Sequence, residues 1–249
     1  MIPKTIHYCW FGRNPLPDSA VKCINSWRKF FPDYEIKEWN EDNFDVNSIP
    51  YTAEAYEARK YAFVSDYARF WILYHFGGIY FDTDVEVIKP MDDIIERGPF
   101  MGIEVVGTDI FVSYPLVNPG LGVGAEGGMH FFKDVLDYYG SLHFLSSNGK
   151  IVGGTVVKYT TERLLDYGLQ PGDVFQQVAG ISIYTSEVFN PYNDLTGKLN
   201  VTDNTRSIHW YSASWNKRSP MITWLSRLSH RFFGLYLHNA KNFFLGYKE

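Results

Sequence analysis

Apolar and polar positions divide the first ninety residues into alternating strand-like and helix-like stretches. KTIHYCWF (4–11) is a run of β-formers closed by the turn-prone GRNPLPD, so a first strand is expected there. Asp18 can then cap a helix whose apolar positions Val21, Ile24, Trp27 and Phe30 fall at helical spacing. YEIKEW (34–39) alternates and reads as a second strand. A long helical pattern runs from Thr52 to Phe76, broken near Lys60 and stopped by Gly77 and Gly78. IYFDTDVEVI (79–88) is a third strand, closed by Pro90.

Beyond it, 100–130 is glycine-rich strand and loop. Helices are expected near 131–139 and 155–168, and short strands at 181–185 and 206–210. Strand and helix in alternation argue an α/β layer fold. No internal repeat or linker interrupts 1–215, whereas 216–249 has its own character.

Composition narrows the field. With 249 residues, 45% hydrophobic and 20% charged, the chain can bury a substantial core and is not of disordered type. Aromatic residues make up 18%, enough for sugar or base platforms besides the core. A net charge of −5 argues against a nucleic-acid partner. Cys9 and Cys23 make neither a disulfide framework nor a zinc pattern. No signal peptide or membrane-spanning run is visible, so a cytoplasmic location is expected.

The candidate chemistry centres on DTD (82–84). In a continuous strand, Tyr80, Asp82 and Asp84 would share one face and Phe81 and Thr83 the other. Two carboxylates on one face can hold Mn²⁺ or Mg²⁺, with phosphate oxygens and water completing the shell. On the preceding helix, SDYAR puts Asp66 and Arg69 one turn apart. Such a pair is either an exposed ion pair of little worth or a cation placed for a leaving diphosphate.

Three blocks taken together carry a resemblance: IPKTIHYCWFG, SDYARFWILYHFGGIYFDTDVEV and SIHWYSASW. The chain resembles glycosyltransferase family 32, which includes bacterial capsular-polysaccharide transferases and the yeast initiating α-1,6-mannosyltransferase. It is similar at its donor site to the large clostridial glucosylating toxins. The resemblance implies a GT-A-type nucleotide-sugar-binding fold with a mixed central sheet flanked by helices. It also implies a nucleotide-sugar donor, UDP-sugar favoured, a divalent metal and transfer with retention. Carried over by position, Asp84 is the direct metal ligand and Asp82 meets sugar or ribose hydroxyls and the metal through water. Asp66 and Arg69 grip the donor sugar, with Ser65 and Tyr80 lining the pocket and Trp10 stacking on the base. His209 completes the metal shell, and Trp215 donates its indole N–H to a phosphate or glycosidic oxygen.

The expected activity is therefore hexose transfer to a hydroxyl of a surface glycan, free or lipid-linked. The acceptor surface is expected from NPGLGVGAEGGMHFF and GKIVGGTVVKYTTE. Two rivals stand beside it. An aspartyl phosphohydrolase also uses D-x-D at a strand end, but near the chain start and with a loop directly after. The second rival is a non-enzymatic sugar- or calcium-binding module; two aspartates give too few oxygens for a dedicated calcium site, though carbonyls could contribute. The segment 216–249 carries Lys217, Arg218, Arg227, Arg231, Lys241 and Lys248 against Glu249 alone, interleaved with Trp224, Leu228, Phe232, Leu235 and Phe243. It reads as a basic amphipathic helical tail that rests either on an anionic inner membrane surface or on the acidic body of the protein.

Overall fold

Strand β1 (Thr5–Cys9) pairs in parallel with β2 (Glu35–Trp39) on one side and β3 (Gly78–Tyr80) on the other. The computed structural model describes residues 1–104 and 115–212, so Trp215 and the segment 216–249 lie outside the described residues. Helix α1 (Asp18–Phe30) joins the first two strands, and α2 (Pro50–Glu57) and α3 (Tyr61–Phe76) lead back to the third. The break near Lys60 is real: Arg59 adopts φ +56 and Lys60 is the N-cap of α3. Gly77 ends α3 at φ +63, a backbone angle that strongly favours glycine.

The middle and last parts complete the sheet. In chain order they are β4 (Val85–Val87), α4 (Asp92–Glu96), β5 (Phe100–Glu104), β6 (Leu116–Asn118), β7 (Val123–Ala125), α5 (His130–Gly140) and α6 (Val156–Asp166). Then come β8 (Gln176–Val178), β9 (Ile181–Tyr184), α7 (Ser186–Phe189), β10 (Tyr192–Asn193), β11 (Lys198–Leu199) and β12 (Ser207–His209). Among the described residues the main sheet runs β2-β1-β3-β7-β5-β9-β8, with β6 beside β5, and mixes parallel and antiparallel pairs. The expected fold class, a mixed central sheet flanked by helices, is the one observed.

Strand alternation divides the core between the two sheet faces. Ile79 and Phe81 join Trp27 of α1 and Phe189 of α7, while Tyr80 turns to the other face with Phe70 of α3 and Phe132 of α5. Phe81 is fully buried, and such burial contributes on the order of 2 kcal/mol.

Two expectations need correction. Asp18 is the first helical residue rather than the cap; Pro17 holds that position, and no side chain caps the helix end. IYFDTDVEVI is not one strand. The chain leaves the main sheet after Tyr80, turns at 82–85 through a Val85 N–H bond to the Asp82 carbonyl (3.0 Å), and enters β4. β4 pairs antiparallel with β12 in a separate ribbon, His209 opposite Val85. The turn follows from the local bonds: the Asp84 carbonyl accepts from Trp210 N–H (3.0 Å), which ties it to the end of that ribbon.

Candidate active site

Because Asp82 and Asp84 lie on a turn, their convergence is not a matter of strand alternation. Each is held by a different part of the chain. The Asp82 carboxylate accepts from the Tyr80 hydroxyl (3.0 Å) and lies 3.2 Å from Arg69 Nη2. Its N–H donates to the Gly120 carbonyl (3.3 Å), and a Cβ on Gly120 would collide with Asp82 Oδ2. Asp84 faces the chain's last described stretch. His209 Nε2 lies 3.0 Å from its Oδ1, and Ser212 donates from N–H (2.8 Å) and hydroxyl (3.0 Å) to its Oδ2.

Behind Asp82 sits the pair from α3. Arg69 is 3% exposed and Asp66 8%, so this is not an exposed ion pair. Arg69 Nη2 donates to Asp66 Oδ1 (2.8 Å) and Nε to the Ser65 carbonyl (3.2 Å), with the guanidinium 4.9 Å from the Tyr80 ring centroid. Burial raises the Asp66 carboxyl, Arg69 opposes the shift and Asp82 adds to it, leaving Asp66 pushed up to about 7. Burial acts to raise Asp84 as well, but His209 and the Ser212 donors outweigh it and hold Asp84 well below the usual carboxylate range. Burial alone would depress His209; Asp84, then Asp82 and Glu104, reverse that and raise it.

Two buried donors at the site have no hydrogen-bond partner among the described residues: Arg69 Nη1 and His209 Nδ1. Unmet buried donors are costly, so both are suited to a ligand's oxygens. The metal question has a geometric test. One ligand atom each from Asp82, Asp84 and His209 lie within 4.8 Å of one another. Oxygen and imidazole ligands placed about 2 Å from a common ion would be separated by about that much or less, so the set fits Mn²⁺ or Mg²⁺.

The remaining expected site residues sit as follows. Ser65 donates its hydroxyl to the Tyr61 carbonyl (3.3 Å) and serves Arg69 through its backbone. Trp10 is half-buried just past β1, its indole N–H on the Asn14 carbonyl (2.6 Å). Trp215 lies outside the described residues.

Sequence reasoning missed four residues that the fold brings in: Glu104, Asn118, Tyr211 and Ser212. The Glu104 carboxylate accepts from Tyr211 (3.1 Å) and Asn118 (3.3 Å). Ser212 and Tyr211 stand inside the SIHWYSASW block and were within reach; Glu104, at the end of the short strand FMGIE, left no local signal.

A mixed sheet ending in a carboxylate–imidazole cluster beside a buried guanidinium is chemically suited to an anionic, oxygen-rich ligand. Residues 17–101 match the family described as glycosyltransferase sugar-binding region containing DXD motif. That segment is thus similar to the DXD sugar-binding region of glycosyltransferases, in line with the resemblance drawn from the sequence blocks. Asp66, Arg69, Tyr80, Asp82 and Asp84 fall inside the matched segment, while Glu104 and His209 lie beyond it.

Inositol phosphoceramide mannosyltransferase 1 of Schizosaccharomyces pombe is 30% identical over 116 residues, 40% of this chain and 33% of that protein. An uncharacterized glycosyltransferase, L373, of Acanthamoeba polyphaga mimivirus is 27% identical over 214 residues, 82% of this chain and 80% of its own. The chain spans about a third or less of the curated relatives it matches first. Among solved structures, a glycosyltransferase involved in glycosylation of the PBCV-1 major capsid aligns with TM-score 0.49 at 12% identity, covering 85% of this chain and 95% of that one.

Proposed function

We propose that this protein is a metal-dependent GT-A-type glycosyltransferase. It would move a hexose from a nucleotide diphosphate sugar, UDP-sugar favoured, to a glycan or lipid-linked hydroxyl with retention of anomeric configuration. The observation that carries the reading is the convergence of Asp82, Asp84 and His209 beside the buried Asp66–Arg69 pair. Asp82, Asp84 and His209 would hold the ion, and imidazole favours Mn²⁺ over Mg²⁺. When bound, the ion supplies charge neutralisation for the departing diphosphate.

The chain's own residues do the rest. Arg69 Nη1, without a partner among the described residues, is available to a sugar hydroxyl or phosphate oxygen, and its position is fixed by Asp66, Ser65 and Asp82. Asp66, deep beside it, accepts from a sugar hydroxyl when ionised. Trp10 offers a half-exposed ring for the base. The acceptor hydroxyl would attack from the face that the nucleotide leaves, its proton passing to a phosphate oxygen, so no protein base is assigned.

Relatives whose names specify inositol phosphoceramide support a lipid-linked acceptor at least as well as a capsular one. A basic tail on an anionic inner membrane face would suit such an acceptor. Flotation with anionic vesicles tests it, and equal binding by a chain ending at Lys217 would remove the tail from the reading.

The test of the activity is nucleotide release across a panel of nucleotide sugars, with product linkage read from the anomeric proton coupling. One α-linked donor should be consumed and give an α-linked product. A β-linked product would overturn retention, and no turnover of any donor would overturn the reading.

A further inference from the structure

Tyr211 is the hinge of the segment that faces Asp84. Its φ of +49 is uncommon for a residue with a bulky side chain. That left-handed step is what lets residues only three apart, His209 and Ser212, reach the two oxygens of the same carboxylate. Such a backbone persists only where its surroundings fix it.

The surroundings here are specific. The Tyr211 hydroxyl donates to Glu104 Oε1 (3.1 Å) and accepts from Asn190 Nδ2 (2.9 Å). Its ring packs edge-on against the His209 imidazole, centroids 4.1 Å apart. Glu104 Oε2 accepts from Asn118 Nδ2 (3.3 Å), and Asn118 Oδ1 accepts from Gly120 N–H (2.7 Å). The Gly120 carbonyl in turn holds the Asp82 N–H (3.3 Å). Glu104 therefore stands midway in one chain of hydrogen bonds with Asp82 at one end and the His209–Ser212 segment at the other.

We propose that Glu104 is a positioning residue for the donor site. With Asn190 it clamps the Tyr211 hydroxyl, keeps the left-handed turn formed, and so holds His209 and Ser212 on Asp84 in register with the Asp82 turn. The clamp is a property of this chain alone; its consequence for a metal rests on the function proposed above. Residues that orient ligands in this way typically change metal affinity or activity by about 10–100-fold when removed.

The experiment has one readout without metal and one with it. Hydrogen exchange of the metal-free protein over residues 207–212 is compared among wild type, Glu104→Ala, Tyr211→Phe, their double variant and Glu104→Gln. Mn²⁺ affinity of the same proteins is then titrated calorimetrically. Glu104→Ala and Tyr211→Phe should each speed exchange in 207–212 and weaken Mn²⁺ by about tenfold or more. The losses in the double variant should be clearly less than additive, because both singles break the shared Tyr211–Glu104 bond while each also loses one bond of its own, to Asn190 or to Asn118. Glu104→Gln, which keeps an acceptor for Tyr211, should restore both readouts. Wild-type exchange in both single variants, additive losses, or a lowered melting temperature with segment protection unchanged would overturn the clamp. If the wild type binds no Mn²⁺ while exchange responds as stated, the clamp stands and the metal reading falls.

Discussion

Arg69 sees three oxygens at once: Asp66 Oδ1, Asp82 Oδ1 and the Ser65 carbonyl. A guanidinium can meet them and still spare Nη1; an ammonium has one nitrogen. Arg69→Ala would leave Asp66 and Asp82 without their cation, and breaking a buried pair in this way costs about 3–5 kcal/mol. Arg69→Lys keeps a charge there but loses the fork. It should therefore fold with a near-native melting temperature, while turnover falls by about 100-fold or more. Thermal melts beside initial rates separate the two effects, and normal turnover in the Lys variant would remove Arg69 from the donor site. Asp66, Arg69 and the two DTD aspartates were legible from sequence because their identities and spacing are local. Glu104 was not, since nothing near it in sequence announces that β5 ends opposite Tyr211.

At the scale of elements, β1 and the end of α3 are joined by a buried histidine. His7, 2% exposed, accepts from Trp39 Nε1–H at Nδ1 (3.1 Å) and donates from Nε2 to the Gly77 carbonyl (3.0 Å). Burial lowers its pKa, the Gly77 bond opposes, and Lys37 adds to the lowering, giving about 4 against an ordinary 6.5. Between those values the unfolded chain binds a proton that the folded protein refuses. Stability from this group is thus complete above pH 6.5 and is lost as pH falls towards 4, by about 3 kcal/mol in all. Urea unfolding from pH 7 to 4 should show that loss in the wild type and a shallower one in His7→Gln; parallel curves would refute the assignment.

Gly120 makes a second element-scale case. Since a Cβ there would meet Asp82 Oδ2, Gly120→Ala should displace the aspartate and cut turnover by at least tenfold with the sheet intact. Circular dichroism and rates together check it, and wild-type rates would show that the approach is not needed. The strand–helix alternation, the break at Lys60 and the stop at Gly77 were all readable from periodicity and glycine. The split of 79–88 into β3 and β4 was not. Both halves are apolar and alternate through the turn, so only the non-local pairing with β12 reveals it.

For the whole molecule, the site is assembled from segments far apart in the chain: α3, the 82–84 turn, the 118–120 turn and the 207–212 segment. Among the described residues no helix is long and apolar enough to cross a membrane. The proposed function requires that these segments together hold a nucleotide diphosphate through a cation. Calorimetric titration of UDP into the wild type and Asp84→Asn, each with Mn²⁺ and with chelator, measures that directly. Binding to the wild type that requires Mn²⁺, and falls at least 100-fold in Asp84→Asn at an unchanged melting temperature, is the expected result. Equal UDP affinity in chelator, or in Asp84→Asn with Mn²⁺, would contradict it.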